Sequence, residues 1–163
     1  MEPTVIDAKT FLHDWQGHRA LTRRVIEAFP EDKLFTYSIG GMRPFSGLAK
    51  EMLTMGSLGI QGAVTGQWTD LDAPEQQKTP APQTKAELLA RWDELTSKID
   101  TLWPQITGAR FQEIDMIFNA YKGPIYWGLL YLVDNEVHHR GQGYVYLRSL
   151  GIEPPPFWDR HYA

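Results

Sequence analysis

The sequence predicts an all-α fold, a four-helix bundle with long connecting loops, formed by residues 1–163 as one domain. Three observations predict it. Four long segments repeat apolar residues at three- and four-residue steps. Each is bounded by residues that start or stop helices. No segment alternates apolar and polar residues convincingly enough to read as a half-buried strand.

The first segment runs from about Asp7 to Phe29. Phe11, Trp15, His18, Thr22, Val25 and Phe29 fall on one face, Asp7 is placed to cap the start, and Pro30 stops the helix. The second runs from Pro44, read as its first residue, to about Gly66, with Leu48, Glu51, Met55, Leu58 and Gly62 on one face. Its glycines at 56, 59, 62 and 66 each weaken a helix by about 1 kcal/mol relative to Ala. Either the helix packs closely on a neighbour there or it frays late. Residues 69–83 are polar and proline-rich and read as a loop.

Thr84-Lys85-Ala86-Glu87 has the spacing of a capping box and opens the third helix, whose stripe is Leu88, Trp92, Leu95, Ile99 and Leu102. Pro104 ends it. Residues 105–123 are ambiguous, with Phe111 to Phe118 either a short strand or the inner wall of a loop. The fourth helix runs from Pro124 to Leu150, with Gly151 as a left-handed stop and Pro154 beyond it.

Composition narrows the function. Sixteen basic residues against twenty acidic give a net charge of −4, which disfavours a nucleic-acid surface. The chain has no cysteine, so it has no disulfide, thiol nucleophile or cysteine metal cluster. No segment reaches the roughly 18 apolar residues of a membrane span. The start Met-Glu-Pro-Thr lacks a signal-peptide pattern. We therefore expect a cytoplasmic protein that binds neither membrane nor nucleic acid.

The polar residues on apolar faces carry the functional signal. At about 100° per residue, His139 shares a face with Ile125, Gly128, Leu132, Asn135, Gln142, Tyr146 and Leu150. That face points inward, with Asn135, His139 and Gln142 as a polar patch at its middle. His138 sits about 100° away, at a boundary. Glu51 is the matching oddity on the second helix. A buried carboxylate must be paired, protonated or metal-bound. Asn135 and His139 are spaced to grip one ion, with Glu51 as a third ligand from across the bundle. The alternative is that Glu51 hydrogen-bonds His139 or pairs with Arg43. His18, beside Trp15, reads first as a satisfied core histidine. His13 and His18 cannot form a clean pair, and His161 near the end says little. Trp15, Trp92, Trp127 and Tyr146 read as core. The tail Pro154-Pro155-Pro156-Phe157-Trp158 is apolar enough to cover the bundle or meet a partner subunit.

Asp134-Asn135-Glu136-Val137-His138-His139-Arg140-Gly141-Gln142, then Tyr146-Leu147-Arg148, Gly151 and Pro154-Pro155, resembles the last helix of the DinB/YfiT-like superfamily. That helix typically reads D-H-E-x-H-H-R-G-Q, then Y-L-R, G and P-P. Arg43-Pro44-Phe45 with Leu48-Ala49 resembles the start of the superfamily's second helix. The resemblance implies a bundle, often a homodimer, with a divalent metal held by three histidines. It also implies thiol-transferase or related chemistry with a low-molecular-weight thiol such as bacillithiol or mycothiol. Only His139 matches a histidine ligand. Asn135 and Glu51 stand where the other two are expected.

Two functions follow as expectations. The first is a metal-dependent enzyme of thiol-transferase or hydrolase type. Glu51, Asn135 and His139 would hold zinc, nickel or manganese there, with His18, His138 and Gln142 as supporting or pocket residues. The second is a non-catalytic stress-response bundle that has lost its metal and binds a small ligand or a protein partner.

Overall fold

The computed structural model describes residues 5–73 and 80–160. The start Met-Glu-Pro-Thr, residues 74–79 of the expected loop, and His161 lie outside the described residues. Helix α1 spans Ala8–Ala28, and the Asp7 carboxylate caps it by accepting the Thr10 N–H at 2.7 Å. Pro30 ends it and caps a further short helix, α2 (Glu31–Thr36), which the periodicity did not reveal. Six residues are too few to show a repeat, but Glu31 and Asp32 suit the positive end of a helix. Helix α3 spans Phe45–Thr65. Pro44 is its N-cap rather than its first helical residue, and Gly66 closes it at φ 73°.

Helix α4 spans Lys85–Leu102. The Thr84 hydroxyl accepts the Glu87 N–H at 3.1 Å. The Glu87 carboxylate reaches back to the N–H of Gln83, one residue before the cap, at 2.7 Å. A 3-10 turn at Trp103–Gln105 follows.

The ambiguous stretch resolves into a short helix, α5 (Gly108–Gln112), and a hairpin of β1 (Ile114–Ile117) and β2 (Tyr121–Pro124), with Ile117 opposite Tyr121. Phe118 and Asn119 take left-handed backbone in its turn. No glycine advertised that turn. Asn119 is held there by its side-chain amide, which donates to the Trp68 carbonyl at 2.9 Å and to Asp70 at 2.6 Å. Helix α6 spans Ile125–Ser149, with Pro124 as its N-cap. Its end is a Schellman motif. Gly151 N–H bonds the Arg148 carbonyl at 3.0 Å and Ile152 N–H bonds the Leu147 carbonyl at 2.9 Å.

The four long helices pack as a closed ring. Helices α1 and α3 each lie against both α4 and α6. One end of the core gathers Trp15, Ile99, Trp103, Phe118 and Leu129. The other gathers Phe29, Leu34, Phe45, Trp92 and Tyr146, with the Phe29 and Phe45 rings stacked 4.8 Å apart. The glycines of α3 are contact points, not fraying sites. A Cβ on Gly59 would lie 2.5 Å from Leu132 of α6, so α3 and α6 approach closely there. That closeness brings Glu51 on α3 within reach of Asn135 and His139 on α6. Among the described residues, no helix is long and apolar enough to cross a membrane.

Two expectations about apolar residues need correction. Trp127 is 44% exposed rather than core, because it begins α6 beside the hairpin, with its ring set against Gly123. Phe157 and Trp158 are also exposed, so of the two roles open to the tail, covering the bundle does not hold for them. Trp15, Trp92 and Tyr146 are buried as expected.

Candidate functional site

Glu51, Asn135 and His139 do converge. Glu51 Oε1 accepts a hydrogen bond from His139 Nε2 at 2.9 Å and a longer one from Asn135 Nδ2 at 3.3 Å. Its other oxygen, Oε2, accepts from Arg43 Nη2 at 2.5 Å. The two alternatives posed for Glu51, a bond to His139 or an ion pair with Arg43, therefore hold together. Glu51 sits at the border of the buried face of α3, not at its centre. Its side chain is 31% exposed, whereas that of His139 is 8% exposed. Glu51 is thus the middle of a chain of hydrogen bonds that runs from the exposed Arg43 to the buried His139.

Burial pushes the Glu51 carboxyl up, but hydrogen bonds from Arg43, His139 and Asn135 outweigh it and hold the carboxyl below its usual range. Glu51 is therefore a carboxylate at neutral pH and a weak general base. It lines a cavity of about 390 Å³ together with Arg43, Gly47, Lys50 and Thr54. Met55 and Leu71 complete the wall.

The other expected site residues lie apart from this carboxylate. His138 is exposed and hydrogen-bonds Gln142 at 2.8 Å along the helix surface. Its ring meets that of His139 edge-on at 5.0 Å. His18 belongs to a different group of residues, described below.

The donor set does not fit a transition-metal centre. Both Glu51 oxygens already accept hydrogen bonds, and Arg43 supplies the positive charge that a metal would otherwise bring. As donor to the Glu51 carboxylate, His139 Nε2 carries a proton. His139 Nδ1 is buried and has no hydrogen-bond partner among the described residues. A metal-bound imidazole ordinarily anchors its second N–H on an acceptor, which fixes its tautomer. Asn135 is a neutral amide and a poor ligand for such ions. Among the described residues, no three His, Cys, Asp or Glu side chains gather in a way that suits a metal.

Sequence reasoning missed a second polar group of residues. Arg19 on α1 and Glu136 and Arg140 on α6 are 1%, 3% and 6% exposed. Glu136 Oε1 accepts the Thr22 hydroxyl at 2.7 Å, and Arg19 Nη1 lies 3.5 Å from Glu136 Oε2. Arg19 also donates to the Trp92 carbonyl at 3.0 Å and to Thr96 Oγ1 at 2.9 Å. Arg140 donates to the His18 carbonyl and to Thr22 Oγ1, both at 3.1 Å. Burial pushes the Glu136 carboxyl up, while Arg19 leads the opposing pull. This arrangement ties α1 to α4 and α6.

His18 lies at the edge of that group. Arg140 approaches its Nδ1 at 2.9 Å, and Arg160 from the C-terminal segment approaches its Nε2 at 2.9 Å. Burial, then Arg140 and Arg160, hold the imidazole down at about 4, against a weaker upward pull from Asp14. The unfolded chain takes up this proton near the ordinary histidine value of about 6.5, well before the folded chain does. The contribution of neutral His18 is therefore complete above that value and is lost as pH falls toward 4. Allowing for partial exposure, we expect a loss of about 2 kcal/mol over this window. Urea unfolding at neutral and mildly acid pH checks this, because His18→Gln should lack that share of the acid loss. An equal acid loss in both proteins would show that His18 is not its source.

The family model described as DinB family matches residues 2–163. Two solved structures share the fold. A DinB-like protein from Bacillus subtilis (YjoA) is 21% identical, with a TM-score of 0.74 over 93% of this chain and 99% of that one. A DinB-like protein from Bacillus cereus is 18% identical, with a TM-score of 0.73 over 91% of this chain and 95% of that one. At these identities the likeness shows the fold alone. No curated protein matches the chain.

Proposed function

This chain belongs to the DinB family, and on that premise we propose a four-helix bundle with a polar small-molecule pocket in place of the three-histidine metal centre that the resemblance implies. The observation that carries this reading is the hydrogen-bond chain from Arg43 through Glu51 to His139. It neutralises the carboxylate, fixes the imidazole proton and leaves Glu51 facing a cavity. Glu51 is ionised with both oxygens already engaged, so it is only a weak base. On this reading the pocket binds rather than activates a nucleophile.

The competing reading is a metal-dependent thiol transferase or hydrolase. It is favoured by one fact, that Glu51, Asn135 and His139 meet where three ligands are expected. Elemental analysis of untagged protein purified without chelator separates the two. The pocket reading expects little bound metal, with no change in Glu51→Ala. Near-stoichiometric metal that disappears in Glu51→Ala would overturn it. Stability gives an independent check. A double-mutant cycle of Glu51→Ala and His139→Ala should show coupling of about 1 kcal/mol without added metal, as expected for a partly exposed charged hydrogen bond.

A further inference from the structure

We infer that the Glu51 cavity takes a small organic anion, an oxyanion head on a short apolar stem, with Lys50 and Arg43 as the residues that select it. The inference rests on the ligand-pocket reading above. The charges lining the cavity are two cations, Arg43 and Lys50, and one carboxylate, Glu51. Glu51 and Arg43 already pair at 2.5 Å. Lys50 makes no hydrogen bond or ion pair among the described residues. The cavity therefore carries one uncompensated positive charge. A cationic ligand would meet Lys50 and Arg43 with the carboxylate already engaged, whereas a singly charged anion makes the site neutral.

The geometry agrees with a compact head group. Arg43 uses one terminal nitrogen on Glu51, and its remaining N–H groups have no partner among the described residues. A guanidinium presents five donors in a planar fork that matches carboxylate or phosphate oxygens. The Arg43 side chain is 55% exposed, so the fork is reachable from solvent. Thr54 adds a hydroxyl to the same wall, and Met55 and Leu71 offer apolar surface for a stem. A volume of about 390 Å³ lies at the small end of the range for ligand pockets.

The test is an amide-shift titration of the full chain at low salt with hexanoate, hexyl phosphate and hexylammonium. Saturable shifts at Glu51 and Thr54 are expected with at least one anion and none with the amine, and the tighter anion identifies the head group. Lys50→Gln, which breaks no side-chain hydrogen bond or ion pair among the described residues, should weaken anion binding about tenfold, as should Arg43→Gln. Shifts from hexylammonium, no shift with either anion, or unchanged affinity in Lys50→Gln would each overturn the anion inference while leaving the pocket reading in place. Stoichiometric metal that depends on Glu51 would instead overturn the pocket reading itself, whatever the titration shows.

Discussion

Replacing Glu136 with Ala should destabilise the protein by about 3–5 kcal/mol, the range for removing one partner from a buried ion group. Glu136 lies between two guanidiniums, with Arg19 at 3.5 Å and Arg140 at 3.9 Å. Both arginines are themselves buried. Deleting the carboxylate leaves two positive charges in the core with only neutral hydrogen-bond partners. Arg19 keeps Thr96 and the Trp92 carbonyl, and Arg140 keeps Thr22 and His18. Those partners leave the charge uncompensated, and Arg19 Nη1 loses the oxygen it faces. Glu136→Gln retains the shape and the acceptor for the Thr22 hydroxyl but removes the same charge, so it should recover only part of the loss. Urea unfolding with an unchanged m-value is the measurement. A loss below about 1 kcal/mol in Glu136→Ala would mean that water reaches the site and screens the pair, as it does at a surface.

That cluster also marks where sequence reading stops. Helix ends were legible because their chemistry is local. Asp7, Thr84 and Gly151 act on neighbours one to four residues away. The inward face of α6 was legible because 100° per residue places His139 in line with Leu132 and Tyr146, and all three are buried.

Glu51 was legible as an oddity, but its partners came from two elements and needed the fold to choose between them. It has both Arg43 and His139. Arg19, Glu136 and Arg140 were not legible. A charged side chain on a helix reads as solvated until a partner on another helix is known, and Arg19 and Glu136 are separated by more than a hundred positions. The available signal was spacing alone. Arg19 falls between Trp15 and Thr22 on the buried face of α1, and Glu136 follows Leu132 and Val133. The hairpin was hidden for a different reason. Its left-handed residues are Phe118 and Asn119, where a glycine would have announced the turn.

Trp92→Ala should cost about 3–5 kcal/mol from lost volume alone, as for other buried tryptophans. The position is fully buried, in the cluster that holds Phe29, Phe45 and Tyr146. Its effect should exceed that of an ordinary core residue because Trp92 also holds Arg19. The indole N–H donates to the Arg19 carbonyl at 3.0 Å, and the Arg19 guanidinium lies 4.1 Å from the ring centroid. A desolvated cation on a tryptophan face adds about 2 kcal/mol in favourable cases. Trp92→Phe keeps a ring under the guanidinium and loses only the indole bond and some volume, so it should retain more than half of the stability lost in Trp92→Ala.

Because Glu136 and Trp92 both act on Arg19, their losses should not add. Removing the ring frees the guanidinium to move, and part of the penalty for the missing carboxylate is then relieved by solvent. The double variant Glu136→Ala with Trp92→Ala is expected to fall short of the sum by about 1 kcal/mol or more. If it is too unstable to measure, Glu136→Gln with Trp92→Leu, which also removes the ring, carries the same test. Additivity within about 0.5 kcal/mol would show that the ion group and the aromatic core are independent. Arg19 would then be a passive occupant of the interface between α1 and α4 rather than the residue that joins them.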